Sequence, residues 1–272
     1  MTKVKSFKNF IKAQDPISLE VINFPKKVAE KVAEKVDEGI NGPTDKNVLA
    51  SKNSAGLNKH NDLHARLSDH YEFDEDDKKQ IQIFMDYAAE INKALLAKNK
   101  PKKEVSKSKP APKISDDDKK FAANVDKQAK ELDAMLGGHT SPSADFNVYV
   151  PLKKSPTVLH QETSGQKHDG KAEIQAVLHA FTTGTIMPNV SKDLAVKPLQ
   201  FSKDKTAHII KLKIPAGSKH GAYLGGKDDP DRKFLMKSNR KMTIAPEPED
   251  HEYTDKHGKK NPVKIWHAEL EG

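Results

Sequence analysis

The 272-residue chain contains no cysteine. That absence excludes disulfides and thiolate metal ligands, leaves nitrogen and oxygen as the only donors for any metal, and fits a reducing compartment without requiring one. Apolar residues are scarce as well, at 35% of the chain against about 45–50%, glycine included, in ordinary globular proteins. Part of the chain is therefore expected to lie outside a packed core. No apolar run approaches the roughly 18 residues needed to span a bilayer, and the N-terminus lacks the continuous apolar stretch of a secretory signal, so the sequence reads as soluble with no membrane partner. What is plentiful is charge: 32% of residues are charged and the formal net charge is +8. Lys-rich runs such as Lys98 to Lys109 read as solvated linker. A field of this sign attracts phosphates, nucleic acid or acidic protein surfaces at long range. The basic runs are not interleaved with aromatics, however, and no helix-turn-helix, zinc-finger or ribonucleoprotein signature is present, so nucleic acid is not the expected partner.

Three regions are expected. In residues 1–24, Val4, Phe7, Phe10 and Ile11 fall at helical spacing and make one apolar face that wants a protein partner. Residues 25–69 begin with Pro25 to Glu38, where Val28, Val32 and Val36 stand one helical turn apart ahead of Gly39, and pass into a Gly, Asn, Ser, Lys and His-rich stretch that reads as linker. Residues 70–272 hold the main domain. The acidic turn Asp74 to Asp77 starts a helix through Ile81, Phe84, Ala88, Ile91 and Leu95, and Ser115 to Asp118 has capping-box form for a helix ending at Gly137-Gly138. Residues 146–150, 207–214, 233–236, 241–245 and 263–270 read as strands, 171–180 as a helix and 194–201 as ambiguous. Helices first and strands later indicate an α+β domain.

Several short runs then carry a resemblance. Leu212-Lys-Ile-Pro-Ala-Gly-Ser218 is a strand ending in a Pro-x-Gly-Ser turn; it is followed by Asp231-Arg-Lys-Phe-Leu-Met236 and by a last strand, Val263 to Leu270. Upstream stand Ile91-Asn-Lys-Ala-Leu95, Leu132-Asp-Ala-Met135, Asn147-Val-Tyr-Val150, Phe181-Thr-Thr-Gly-Thr185 and Pro188-Asn-Val190. In this order they resemble the motifs of mono-ADP-ribosyltransferases, in particular those of T-even phages that travel in the virion or act on host RNA polymerase. The resemblance implies a split β-sheet core with flanking helices, preceded by a helical or linker extension. Ser6-Phe-Lys-Asn-Phe-Ile-Lys-Ala13 further resembles the leader of T-even phage internal head proteins, although Gln14 or Asp15 stands where that leader has the Glu needed for its cleavage.

The resemblance also implies a chemistry that the chain has lost in part. In an active transferase an arginine forks onto the NAD pyrophosphate, a serine orients the nicotinamide ribose, and a glutamate bonds the ribose 2′-hydroxyl and stabilises the oxocarbenium ion. The implied cofactor-binding positions here are Tyr149, Val150 in place of the arginine, Thr183 in place of the serine, and Thr185. The glutamate position is Lys233. Unit charges about 4 Å apart at an effective dielectric near 20 interact by roughly 4 kcal/mol, so reversing one turns a stabilisation into a penalty of that order. At 1.36 kcal/mol per decade this amounts to several decades in rate. Asp231, in the acidic pair Asp229-Pro-Asp231, is the alternative catalytic carboxylate if a bulge presents it.

His60 and His64 have the i, i+4 spacing of a metal pair on a helix but lie in the expected linker without a third ligand, and read as exposed. No metal site is expected. The expectation is thus a catalytically degenerate ADP-ribosyltransferase-fold phage protein, packaged in the virion or associated with the capsid through its N-terminal helices, and then in the host cytoplasm. It would need no cofactor, with NAD as ligand if binding survives. The rival expectation is an active NAD-dependent transferase that modifies a host protein such as RNA polymerase.

Overall fold

The computed structural model describes residues 19–21, 54–99, 116–152, 154–164, 167–186, 206–225, 233–254 and 260–271. Three helices come first after a short strand, β1 (Leu19–Val21): α1 (Ser54–His70), α2 (Glu75–Asn99) and α3 (Asp116–Gly138). The start of α2 follows from its sequence, because the Asp74 carboxylate accepts from the Asp77 amide at 2.8 Å and so satisfies one of the donors a helix N-terminus leaves open. Strand β2 (Phe146–Leu152) leads to α4 (Pro156–Ser164), then to β3 (Ile174–Leu178), β4 (Thr182–Thr185), β5 (Ala207–Ile214), β6 (Gly221–Tyr223), β7 (Lys233–Met236), β8 (Arg240–Ile244), β9 (Glu249–Thr254) and β10 (Lys260–Leu270).

The strands form one ladder in the order β1-β3-β8-β10-β5-β2-β4-β7-β6, with β9 also on β10. Strand β10 runs parallel to β5 over Val263–Glu269, while its other edge is shared: β9 takes Lys260–Ile265 and β8 takes Ala268–Leu270. That shared edge splits the sheet into a β1-β3-β8 arm and a β10-to-β6 arm. Because successive side chains of a strand alternate between faces, each strand offers one set of residues to the helices. Phe146, Val148, Val150, Ile210, Leu212, Phe234 and Met242 enter one buried cluster with Leu67 of α1, Phe84 and Ile91 of α2, and Leu132 and Leu136 of α3. The fold is α+β, a split sheet with flanking helices.

Two expectations need correction, and one helix had no expectation. Residues 54–69, read as linker, form α1 with Leu63 and Leu67 fully buried. Two leucines one turn apart are buried among mainly polar residues, which hide them from a composition-based reading. Residues 171–180, read as a helix, hold β3, whose Ile174, Ala176 and Leu178 alternate into the core and whose register with β8 is antiparallel. Tertiary pairing there overrides the helix propensity of Gln, Ala and Leu. Helix α4 was not read at all, although Ser155 caps it by accepting from the Val158 amide at 3.2 Å, with Pro156 in the first turn. Within the expected partner-binding segment 1–24, residues 19–21 pair with β3. The apolar face of Val4 to Ile11, the Val28 to Val36 stripe, residues 194–201 and Ser115 lie outside the described residues. Among the described residues no helix is long and apolar enough to cross a membrane.

Candidate functional site

Strands β2, β4 and β7 are consecutive in the sheet, and their register brings together residues that the sequence scatters over eighty-odd positions. Tyr149 lies opposite Thr185, and Thr185 lies opposite Lys233. On its other side Tyr149 lies opposite Lys211 of β5, which in turn faces His267 of β10. Directly paired residues project from the same face of a sheet, so Lys211, Tyr149, Thr185 and Lys233 form one cross-strand row. Thr183, two residues from Thr185, shares that face. Tyr149 is fully buried, whereas Thr183, Thr185, Lys211 and Lys233 are half-buried. Beyond His267 the row ends at Glu249 of β9, whose carboxylate oxygens lie 2.9 Å from His267 Nε2 and 3.2 Å from His251 Nε2.

Val150 belongs to the other face. It is 2% exposed and packs in the helix-covered cluster, so the structure does not bring it onto the face of Tyr149, Thr185 and Lys233. The packing there is tight. A Cβ built on Gly184 would collide with Val148 Cγ1 and approach both Val150 Cγ2 and the Tyr149 carbonyl to 3.0 Å. The middle residue of Thr183-Gly184-Thr185 is glycine because two valines of β2 occupy the space its side chain would need. Asp231 lies outside the described residues, as do Pro188, Asn189 and Val190.

Helices hold these strands in place through polar residues of the very runs that carried the resemblance. Asn92 of α2 donates to the Phe181 carbonyl at 3.1 Å, one residue before β4, while Phe84 and Phe181 pack edge to face with centroids 5.4 Å apart. Asp133 of α3 pairs with Lys237, one residue after β7, at 3.3 Å. The Pro215-Ala-Gly-Ser218 turn is fixed from the entry to β2. Ser141 Oγ donates to the Pro215 carbonyl at 2.6 Å and accepts from the Ser218 amide at 2.8 Å, and Asp145 accepts from the Ala216 amide at 2.8 Å. Gly217 takes φ +66°, a left-handed conformation that favours glycine. Hydrogen bonding from the Ala216 amide, opposed by burial and aided by Lys213, holds the Asp145 carboxyl below the usual range.

The histidines sort differently from expectation. His64, read as exposed, is buried, and its Nδ1 lies 2.5 Å from the Tyr223 hydroxyl of β6. Ser68, one turn on, donates to the Gly225 carbonyl at 3.0 Å, so this face of α1 docks on the β6 end of the sheet. His220, at the start of β6, is buried, and burial followed by the charges of Arg240 and Lys237 pushes its imidazole below the ordinary range. Among the described residues no group of three or more His, Asp or Glu could hold a metal ion. Trp266 is core and donates from Nε1 to His208 Nδ1 at 3.3 Å.

No family model matches this chain, and no curated protein matches it in sequence. Solved structures do. The chain is similar to the enzymatic component C2-I of the C2 toxin from Clostridium botulinum, with TM-score 0.52 and 13% identity over 76% of this chain and 46% of that one. It is also similar to Plx2a, an ADP-ribosyltransferase toxin from Paenibacillus larvae, with TM-score 0.49 and 14% identity over 79% and 96%. A third similar structure is the ADP-ribosylating toxin BECa of C. perfringens with NADH, with TM-score 0.47 and 16% identity over 79% and 48%. The chain spans about half the length of C2-I and BECa. The likeness to C2-I shows a shared fold.

Proposed function

We propose that this chain is a catalytically degenerate ADP-ribosyltransferase-fold protein that acts by binding. One observation carries this reading: strands β2, β4 and β7, which bear the site face, contain no aspartate or glutamate, and Lys233 stands where the resemblance puts the catalytic carboxylate. A cleaved glycosidic bond leaves positive charge on the ribose, and that charge needs an anion beside it, not an ammonium. NAD therefore fits in part. Thr183 and Thr185 offer hydroxyls, and Lys211 and Lys233 offer cations for its phosphates; no described residue of β2, β4 or β7 offers a carboxylate for the ribose. Incubation with labelled NAD and candidate acceptor proteins, followed by mass spectrometry, should show no modification. Modification that Asp231→Ala abolishes would establish the rival reading of an active transferase, favoured by the acidic pair Asp229 and Asp231 just before β7.

The wider reading, that the protein is phage-encoded and enters the virion through its N-terminus, rests on the leader-like run Ser6 to Ala13 and the apolar face of Val4, Phe7, Phe10 and Ile11. A capsid or head component would then be the partner, and a host protein a second target after infection. Burying such side chains is worth about 1.5–3 kcal/mol each in a suitable groove. Deleting residues 1–15 spares β1 and should abolish incorporation into heads; unchanged incorporation of the truncated chain would dismiss this role.

A further inference from the structure

We infer that the protein binds a phosphate group between His220, at the entry to β6, and Arg240, at the start of β8. This place lies at the other end of β7 from the row of Tyr149, Thr185 and Lys233, and it does not depend on the nucleotide reading of that row. The His220 carbonyl accepts from the Lys237 amide at 2.9 Å, just beyond β7. Lys237 stands four residues along from Lys233, about 13 Å at about 3.3 Å per residue. Ser238 and Asn239 then lead into β8. There Arg240 alternates onto the face of Met242 and Ile244, both in the helix-covered core, so its side chain stands at the rim of that core.

Hydrogen bonding and charge both point to an anion. His220 is 5% exposed, and its Nδ1 and the Nε of Arg240 are each buried without a hydrogen-bond partner among the described residues. Buried polar groups are nearly always bonded. The charges that bear on His220, those of Arg240 and Lys237, are both positive. Lys237 is already answered, since it pairs with Asp133 of α3 at 3.3 Å and lies against Gly137 in the last turn of that helix, where a cation is favourable. Arg240 has no acid partner among the described residues, so it carries the surplus. A neutral acceptor would answer the hydrogen bonds alone, whereas an oxyanion answers the charge as well. Phosphate suits the pair better than a carboxylate: two of its oxygens bond the Nε edge of the guanidinium and others remain for the His220 ring, whereas a carboxylate has then used both.

The test is calorimetric titration of the full chain with inorganic phosphate, glycerol phosphate and acetate at one ionic strength. Both phosphates should bind saturably, and acetate about tenfold more weakly or less. Phosphate affinity should fall about tenfold or more in Arg240→Gln, less in Arg240→Lys, which keeps the charge without the fork, and about fivefold in His220→Leu. It should be unchanged in Lys78→Gln, which alters an exposed cation of α2. In the native protein the His220 ring resonances, identified by their loss in His220→Leu, should shift saturably with phosphate, a readout that stands even where Arg240→Gln fails to fold. Tighter binding of glycerol phosphate would assign the group to a phosphorylated ligand and tighter binding of inorganic phosphate to the free ion; either supports the site. No binding of either phosphate, equal binding of acetate, an affinity unchanged in folded Arg240→Gln, or His220 resonances that do not move would each overturn the inference.

Discussion

At Gly184 two side chains and a backbone carbonyl occupy the volume that a Cβ would need. Two valines of β2 fill the space where most residues would place a Cβ, and the Tyr149 carbonyl closes it from the backbone side. Gly184→Ala should therefore destabilise the protein by about 1–3 kcal/mol, since a backbone contact cannot rotate away; a urea titration measures it, and a neutral result would mean that β2 and β4 are farther apart than described. His220 sets a pH dependence. Its folded pKa is depressed by burial and then by the charges of Arg240 and Lys237, so at neutral pH folded and unfolded chains are both uncharged at this position. Below the unfolded value of about 6.5 the unfolded chain binds a proton that the folded one resists, and stability is lost as pH falls toward and through the folded value. Stability should fall between pH 7 and 5 in the native protein and fall less in His220→Gln, as followed by denaturant midpoints. At this scale the sequence was partly legible. The resemblance picked out Tyr149, Thr185 and Lys233, which the register lines up, whereas Val150 was taken with Tyr149 although a one-residue step along a strand reverses the face. The alternation along Phe146 to Leu152 separates the faces, with Phe146, Val148, Val150 and Leu152 in the core and Asn147 and Pro151 half-buried on the side of Tyr149.

The elements show why the site strands sit where they do. Asn92 and Asp133 belong to helices that the apolar periodicity made plain, but their partners, the Phe181 carbonyl and Lys237, are fixed only once β4 and β7 are in the sheet. Asn92→Ala should cost about 0.5–1.5 kcal/mol, the ordinary net worth of a hydrogen bond, and should leave the helix content by circular dichroism unchanged; a loss of helix would show that Asn92 supports α2 rather than β4. Long periodic elements were readable: α2, α3, β5 and β10 match their expected spans. The short strand β7 also matches its expected span, whereas α1, β3 and α4 do not. Helix α1 buries Leu63 and Leu67 on one side of a largely polar segment, and β3 mixes the strand-favouring Ile174 and Val177 with Gln175, Ala176 and Leu178, so its pairing with β1 and β8 decides its form.

Among the described residues α1, α2, α3 and both arms of the sheet contribute to one hydrophobic core. A domain start at residue 70 would cut α1 away from it. Leu67→Ala should cost about 2–5 kcal/mol of global stability, as a cavity in a packed core does, and limited proteolysis of the full chain should leave a protected fragment that begins before Leu63. A protected fragment that begins near residue 70 would restore the division made from composition. Under the proposed function, the site strands β2, β4 and β7 supply no catalytic carboxylate and the chain does not cleave NAD. Nicotinamide release from NAD, followed by proton NMR with the full chain over hours, tests it most directly. No release above buffer is expected from the native protein; steady release that Asp231→Ala abolishes would contradict the account.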